Sequence, residues 1–314
     1  LNVDAPKLNV AWFDIEVDFD PERGYASPDD AFMPITAIAV HLQWMDTLVC
    51  LAIPPKTLTI DEARELVKDF PNTILFDTEH EMLDTFLDLI QDADVLSGWN
   101  SEGFDIPYII NRIKRVLGES MAKKLSPWEV IHEKEVAVGT RKAQMTYTPL
   151  GISILDYMQL YRKFSFTMQE SYKLDHIANV VLGERKLDYA ELGFDNLDDF
   201  YKGDYYHFMV YNIRDVELVA RMEDKLKFIE QVYALSYDAK VNYLDTFTSV
   251  RMWDVIIHNY LYNQGIAVPM FNPDQRTSDG IVGAYVKDPL IGMHKWVASF
   301  DLNSLYPHLI MQYN

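Results

Sequence analysis

Between Leu8 and Ile53 the apolar positions fall in three short blocks, Leu8 to Val17, Ile35 to Trp44 and Thr47 to Ile53, and their length and β-branched content predict strands. The Met45-Asp46 link makes the last two a hairpin. The first block alternates, with Phe13, Ile15 and Val17 on one side and Asp14 and Glu16 on the other. Asp18 to Met33, rich in Asp, Pro, Gly and Ser, reads as a loop beside that acidic strand. Apolar spacings of three and four then predict helices over Asp61 to Phe70 and Glu79 to Asp92, the second presenting Met82, Phe86, Leu87 and Ile90 on one face. A short strand near Thr73 to Phe76 lies between them.

Asp94 to Asn100 is another short strand, followed by a helix that runs through about Leu117. Glu133 to Val138 and Ala143 to Thr148 alternate around Gly139-Thr140-Arg141-Lys142, a hairpin with a basic tip. Gly151 to Leu155 gives a strand, and short helices fill Asp156 to Leu182. Lys186-Leu187-Asp188-Tyr189 lies in a loop, where a lone lysine is ordinarily solvated. One long helix is predicted from Asp204 to about Ile229, with Tyr211 and Asp215 one turn apart on the same face. A second helical pattern covers residues 237 to 265, and its stripe of Val250, Trp253, Ile256, Ile257 and Tyr260 predicts core packing. After Pro269 the composition shifts to turn-forming residues, a boundary signal, and strand-like segments follow at Gly283 to Val286 and Trp296 to Leu302. The chain has no internal repeat or low-complexity tract.

With 314 residues, 49% of them hydrophobic, the chain can build one large or two ordinary globular domains. Cys50 is the only cysteine, which excludes an internal disulfide and any thiolate zinc cluster, and the histidines include no close pair at ligand spacing. No apolar run approaches the ~18 residues of a membrane span. Beginning at Leu1 and stopping at Asn314 within an apolar-polar segment, the sequence is expected to be a piece of a longer protein. The net charge of −20 argues against holding duplex nucleic acid chiefly by phosphate neutralisation, and nucleic-acid contact is compatible with it if that contact is short and metal-centred or if a basic part of a parent protein is missing.

Four acids carry candidate chemistry. Asp14 and Glu16, one strand step apart, repel each other, and a divalent cation or a proton must relieve the pair if it is buried; a solvated acidic edge strand is the competing reading. Asp105 stands just before Pro107 at a strand-to-helix junction, where it is either a helix N-cap or a functional side chain after a strand tip. Tyr211 and Asp215, beside Arg214, form either a solvated pair or part of a site.

Taken together, Phe13-Asp14-Ile15-Glu16, the run from Asn100 to Asp105, and Tyr211-Asn212-Ile213-Arg214-Asp215 resemble the three motifs of the proofreading exonuclease domain of family B DNA polymerases, in particular those of T-even-like bacteriophages. The resemblance covers nearly the whole chain. It takes in Gly151 to Tyr157 and Lys163 to Phe166, and it reaches polymerase motif A at Phe300-Asp301-Leu302-Asn303-Ser304-Leu305-Tyr306-Pro307. Two positions depart from the family pattern: Ile281 replaces a tyrosine before Gly283, and His308 replaces the serine that ends motif A.

The resemblance implies an α/β, ribonuclease H-like fold: a mixed five-stranded sheet flanked by helices, followed by a helical segment and a partial palm. Residues 1–227 would be the exonuclease, 228–271 a helical return into an N-terminal domain, and 272–314 the start of the palm. It further implies 3′-to-5′ hydrolysis of DNA with two Mg²⁺ or Mn²⁺ ions, held by Asp14, Glu16, Asp105 and Asp215, with Tyr211 orienting water and Lys186 stabilising phosphate charge. Asn100, Phe104 and Tyr25 would touch DNA, and the hairpin at 133 to 148 would help part primer from template. Asp301 and the ribose-gating candidate Tyr306 would belong to a polymerase site lacking its partners, so polymerisation by this piece is not expected. Implied partners are a single-stranded 3′ end, primer-template DNA and, for the parent protein, a sliding clamp; the implied setting is the cytoplasm of an infected bacterium. The alternatives are a non-catalytic nucleic-acid-binding module of the same fold and a structure-specific endonuclease.

Overall fold

A computed structural model describes residues 7–136, 144–268 and 283–313. In chain order the elements are β1 (Val10–Val17), β2 (Ile35–Leu42), β3 (Thr47–Ala52), α1 (Ile60–Leu66), β4 (Thr73–Leu75), α2 (Glu79–Leu89), β5 (Val95–Ser97), α3 (Asp105–Val116), α4 (Glu119–Ala122), β6 (Ile131–Val136) and β7 (Gln144–Pro149). There follow β8 (Ser153–Ile154), α5 (Tyr157–Phe164), α6 (Leu174–Leu182), α7 (Leu197–Gly203), α8 (Tyr205–Leu226), α9 (Phe228–Ala239), α10 (Ser249–Asn263) and α11 (Leu305–Tyr313). The chain divides into two compact units at Ile266/Ala267, and α11 belongs to the second.

The first unit is built on a mixed sheet of order β4-β3-β2-β1-β5-β8. β2 runs antiparallel to both β1 and β3, whereas the β1–β5, β3–β4 and β5–β8 pairs are parallel. This is the expected mixed α/β architecture with six strands in place of five; the end strands β4 and β8 are only three and two residues long. A separate two-stranded ribbon pairs β6 with β7, and its basic tip, Gly139 to Lys142, lies outside the described residues, as does Ile281.

Strand alternation sends side chains to two cores. Val10, Trp12, Ala37, Ala39 and Cys50 pack with residues of α5, α6 and α8, while Phe13, Ile15, Ile38 and Val40 pack with Met82 and Phe86 of α2 and Ile109 of α3. β1 is thus central and covered on both faces. Asp14 and Glu16 share the face of Trp12, against which α8 packs, which rules out the solvated-edge reading.

Several helical expectations need correction. The predicted helix from Asp204 to Ile229 breaks at Lys227, whose φ of 57° is left-handed and ends α8. Near the end of α8 the Glu223 carboxylate accepts the main-chain N–H groups of Phe228 (2.8 Å) and Ile229 (3.1 Å), so α8 itself supplies a partner for the start of α9. The pattern over residues 237 to 265 likewise splits: α9 ends at Ala239, a 3₁₀ turn spans Tyr243–Phe247, and α10 follows. The stripe on α10 is not core: Val250, Trp253 and Tyr260 are 78%, 62% and 63% exposed. Periodicity reports an apolar face but not what lies against it. Gly283 to Val286 and Trp296 to Leu302 form no strand, and the described residues of the second unit offer no strand to pair with them.

Candidate active site

The site forms where α8 crosses β1. Alternation on β1 aims Asp14 and Glu16 at the helix, and the one-turn spacing on α8 aims Tyr211 and Asp215 back. One carboxylate oxygen from each of Asp14, Glu16 and Asp215 lies within 4.8 Å of the others. Glu16 and Asp215 are buried and Asp14 is partly exposed, giving the group one open side. Oδ1 of Asp215 is buried without a hydrogen-bond partner, an expensive arrangement unless something else binds it.

Asp105 approaches from the third side. Its Oδ1 accepts the Ile15 N–H at 3.2 Å, tying the head of α3 to the residue between the two strand acids. The cap position belongs to Phe104, which makes no side-chain cap bond, and Asp105 is the first helical residue. The N-cap reading of Asp105 is therefore wrong. Asp105 stays outside the tight three-carboxylate group, although its charge is felt at Asp14 and Glu16.

The loop leading to Asp105 is fastened in two ways. At Gly98 an added Cβ would stand 2.5 Å from the Phe13 carbonyl oxygen, so only glycine lets the loop approach β1 this closely. Asp156, at the N-cap of α5, accepts not only Met158 N–H (2.9 Å) but also those of Asn100 (3.1 Å) and Glu102 (3.2 Å). Asn100, left-handed at φ 61°, carries the turn.

Crowding of acids sets the electrostatics. Burial, then the charges of Asp105, Asp215 and Glu16, push the Asp14 carboxyl well above its ordinary value, with Lys186 opposing. Burial and Asp215 push Glu16 up to about 8. Burial raises Asp105 to about 7 against the bond from Ile15, and raises Asp215 to about 6 against Lys186. A carboxyl raised on folding keeps its proton in the native state where the unfolded chain has lost it, so stability declines as pH climbs from the unfolded values of ~4 toward the folded ones. In a chelator the melting temperature should therefore fall by several degrees between about pH 5 and about pH 9. Added Mn²⁺ should reverse most of that fall at the upper end; a flat melting curve against pH in chelator would contradict this electrostatic picture.

Lys186 is no solvated loop lysine. Its Nζ pairs with Asp215 Oδ2, donates to the Tyr211 hydroxyl at 3.1 Å and lies 4.7 Å from that ring's centre, while Asp175 accepts its main-chain N–H at 3.1 Å. Burial works against its charge, but Asp215, Tyr211 and Asp14 outweigh that and hold it protonated. The Tyr211 hydroxyl is held neutral by burial and by Glu16. Phe104 packs on Tyr108, ring centres 5.5 Å apart, and Tyr25 is 60% exposed on the loop after β1, its ring 4.7 Å from that of Phe19. Asp301 and Tyr306 lie in the second unit, both exposed, and among the described residues the only acidic group able to hold a metal ion is Asp14, Glu16 and Asp215.

Sequence reasoning gave no role to three residues that shape the site: Asn212, Asp156 and Cys50. Asn212 was in plain view between Tyr211 and Asp215, but an amide carries no signal of its own until its partners are known.

Residues 1–177 match the family model for the exonuclease domain of DNA polymerase family B. Over its whole length the chain is 36% identical to the DNA-directed DNA polymerase of Escherichia phage RB69, covering 36% of that protein. It is 33% identical to the DNA-directed DNA polymerase of Enterobacteria phage T4, with 81% of this chain and 28% of that protein aligned. The DNA polymerase delta catalytic subunit of Schizosaccharomyces pombe is 25% identical over 98% of this chain and 28% of its own length. The chain thus spans about a third of the length of these relatives, and no helix among the described residues is long and apolar enough to cross a membrane. With over half its length matching that model, and the acids of its first strand meeting Asp215 of its long helix, this chain belongs to the family B DNA polymerases and carries their exonuclease domain.

Proposed function

We propose that this chain hydrolyses DNA from the 3′ end, releasing 5′-mononucleotides, as the proofreading part of a phage replicative DNA polymerase. The observation that carries the reading is the three-carboxylate group with an unpartnered Asp215 oxygen, two of whose acids, Asp14 and Glu16, lie within the residues that match the exonuclease domain. Hard oxygen donors suit Mg²⁺ or Mn²⁺. Asp14, Glu16 and Asp215 would hold one such ion, and Asp14 with Asp105 a second. Bound there, divalent ions would supply an activated water and neutralise charge on the leaving 3′ oxygen. Tyr211, still protonated, orients the attacking water, and Lys186 lends positive charge to the phosphate. Asn100, Phe104 and Tyr25 hold the single-stranded end by polar contact and stacking.

Residues 1–227 form the exonuclease in this reading, 228–271 return the chain to an N-terminal domain, and 272–314 begin the palm, where Asp301 and Tyr306 serve polymerisation. Primer-template DNA and a sliding clamp are partners of the longer protein in an infected bacterium. A 5′-labelled oligonucleotide tests the activity: a ladder shortening from the 3′ end, dependent on Mg²⁺ or Mn²⁺ and stopped by chelator, is expected. Internal fragments would mean an endonuclease, no product a binding module, and metal-independent or 5′-directed digestion would end the proposal. Tyr211→Phe should keep Mn²⁺ binding and lose only about tenfold in rate, since it removes a water-orienting hydroxyl and no ligand.

A further inference from the structure

Asn212 is wholly buried, and each polar atom of its amide has a partner. Nδ2 donates to Asp14 twice, to the carboxylate Oδ2 at 3.1 Å and to the main-chain carbonyl at 3.3 Å. Oδ1 accepts from the Cys50 thiol at 3.8 Å. The partners dictate which way the amide faces. The Asp14 main-chain carbonyl can only accept, so a flipped amide would set oxygen against oxygen there. Cys50, on β3 and 1% exposed, lies with its thiol on the amide oxygen, which suits the same orientation with the S–H as donor. The bond to the main chain locates the amide on β1, and the bond to Oδ2 fixes the torsion of the one carboxylate that the proposed function assigns to both ions.

We propose that Asn212 is a positioning residue: its amide, locked from behind by Cys50, holds the Asp14 carboxylate in the rotamer that divalent-cation binding requires. The inference rests on the reading of Asp14 as a metal ligand. Neither Asn212 nor Cys50 contacts DNA or metal in it; both act through Asp14. Partners of this kind orient a ligand before the ion arrives, and losing one weakens binding and turnover without touching substrate affinity.

The test is Mn²⁺ binding by calorimetry on the full chain, alongside nuclease kinetics. Asn212→Leu, close in size but without donors, should weaken Mn²⁺ binding at least about tenfold and lower kcat at saturating Mn²⁺ by a similar factor, leaving KM for a single-stranded oligonucleotide unchanged. Cys50→Ala should shift both in the same direction by less, and Cys50→Ser, which restores a donor, should return them toward wild type. Wild-type Mn²⁺ affinity and kcat in a folded Asn212→Leu protein would overturn the inference. If Asn212→Leu fails to fold, the Cys50 pair decides, because identical Mn²⁺ affinity in Cys50→Ala and Cys50→Ser also overturns it. A wild-type chain that neither binds Mn²⁺ nor degrades DNA would instead remove the exonuclease reading, and this inference with it.

Discussion

Asp14→Ala is expected to abolish DNA degradation, with a loss of at least ~10³-fold, or ~4 kcal/mol of barrier. Asp14 is the acid with the most neighbours in the site: it belongs to the three-carboxylate group, its charge interacts with that of Asp105, and Asn212 is bonded to two of its oxygens. Removing it takes a ligand from both proposed ions at once, whereas loss of any other acid spares one of them. The folded protein should not suffer in parallel. In chelator at neutral pH the variant sheds a buried carboxyl that its neighbours repel, so its melting temperature should hold or rise. Single-turnover cleavage of a 3′-end-labelled strand, read beside the melting curve, separates the two effects. Near-normal cleavage by Asp14→Ala would show that the chemistry is elsewhere.

Asp105→Asn separates ligation from architecture at the second proposed ion. Asparagine retains an oxygen that can accept the Ile15 N–H, so the tie between α3 and β1 survives, and no cap is lost because Phe104 occupies that position. What disappears is the charge. The rate is expected to fall at least ~100-fold, or ~2.7 kcal/mol, while metal-free melting stays level or rises as a carboxyl lifted to about 7 is neutralised. Unchanged rate and metal dependence in this variant would leave Asp105 a purely structural tie.

The parts of this molecule that could be read in one dimension are those where a residue's neighbours in sequence are also its physical context. Alternation along β1 placed Asp14 and Glu16 on one face, and the four-residue step placed Tyr211 under Asp215. That both sets face each other was legible only through the family motifs, since contacts so distant in sequence have no local signature. Breaks in the long helices escaped because the left-handed residues that end them are Lys227 and Lys240, not glycines, and because Glu223 reaches forward to the N–H groups that a cap residue would ordinarily satisfy. The α10 stripe misled for the opposite reason. Val250, Trp253 and Tyr260 recur with the period of a buried face, and period alone cannot distinguish a core from a surface awaiting something else. Asp156 was hidden in the same way as Asn212: its value lies in four main-chain N–H groups on two different elements.

The junction at Glu223 also makes α8 a lever. That carboxylate receives the Tyr157 hydroxyl at 3.0 Å as well as the first N–H groups of α9, so one end of the helix is pinned to two others. Asp215 sits eight residues up the same rod, about 12 Å along its axis at 1.5 Å per residue. A tilt of only about 5° at the pinned end would carry Asp215 roughly 1 Å sideways, a displacement that can cost on the order of 10²-fold in rate. The fulcrum that keeps Asp215 in range of the acids on the strand is thus a buried knot of three hydrogen-bonded elements, more than two turns of α8 away from Asp215 itself.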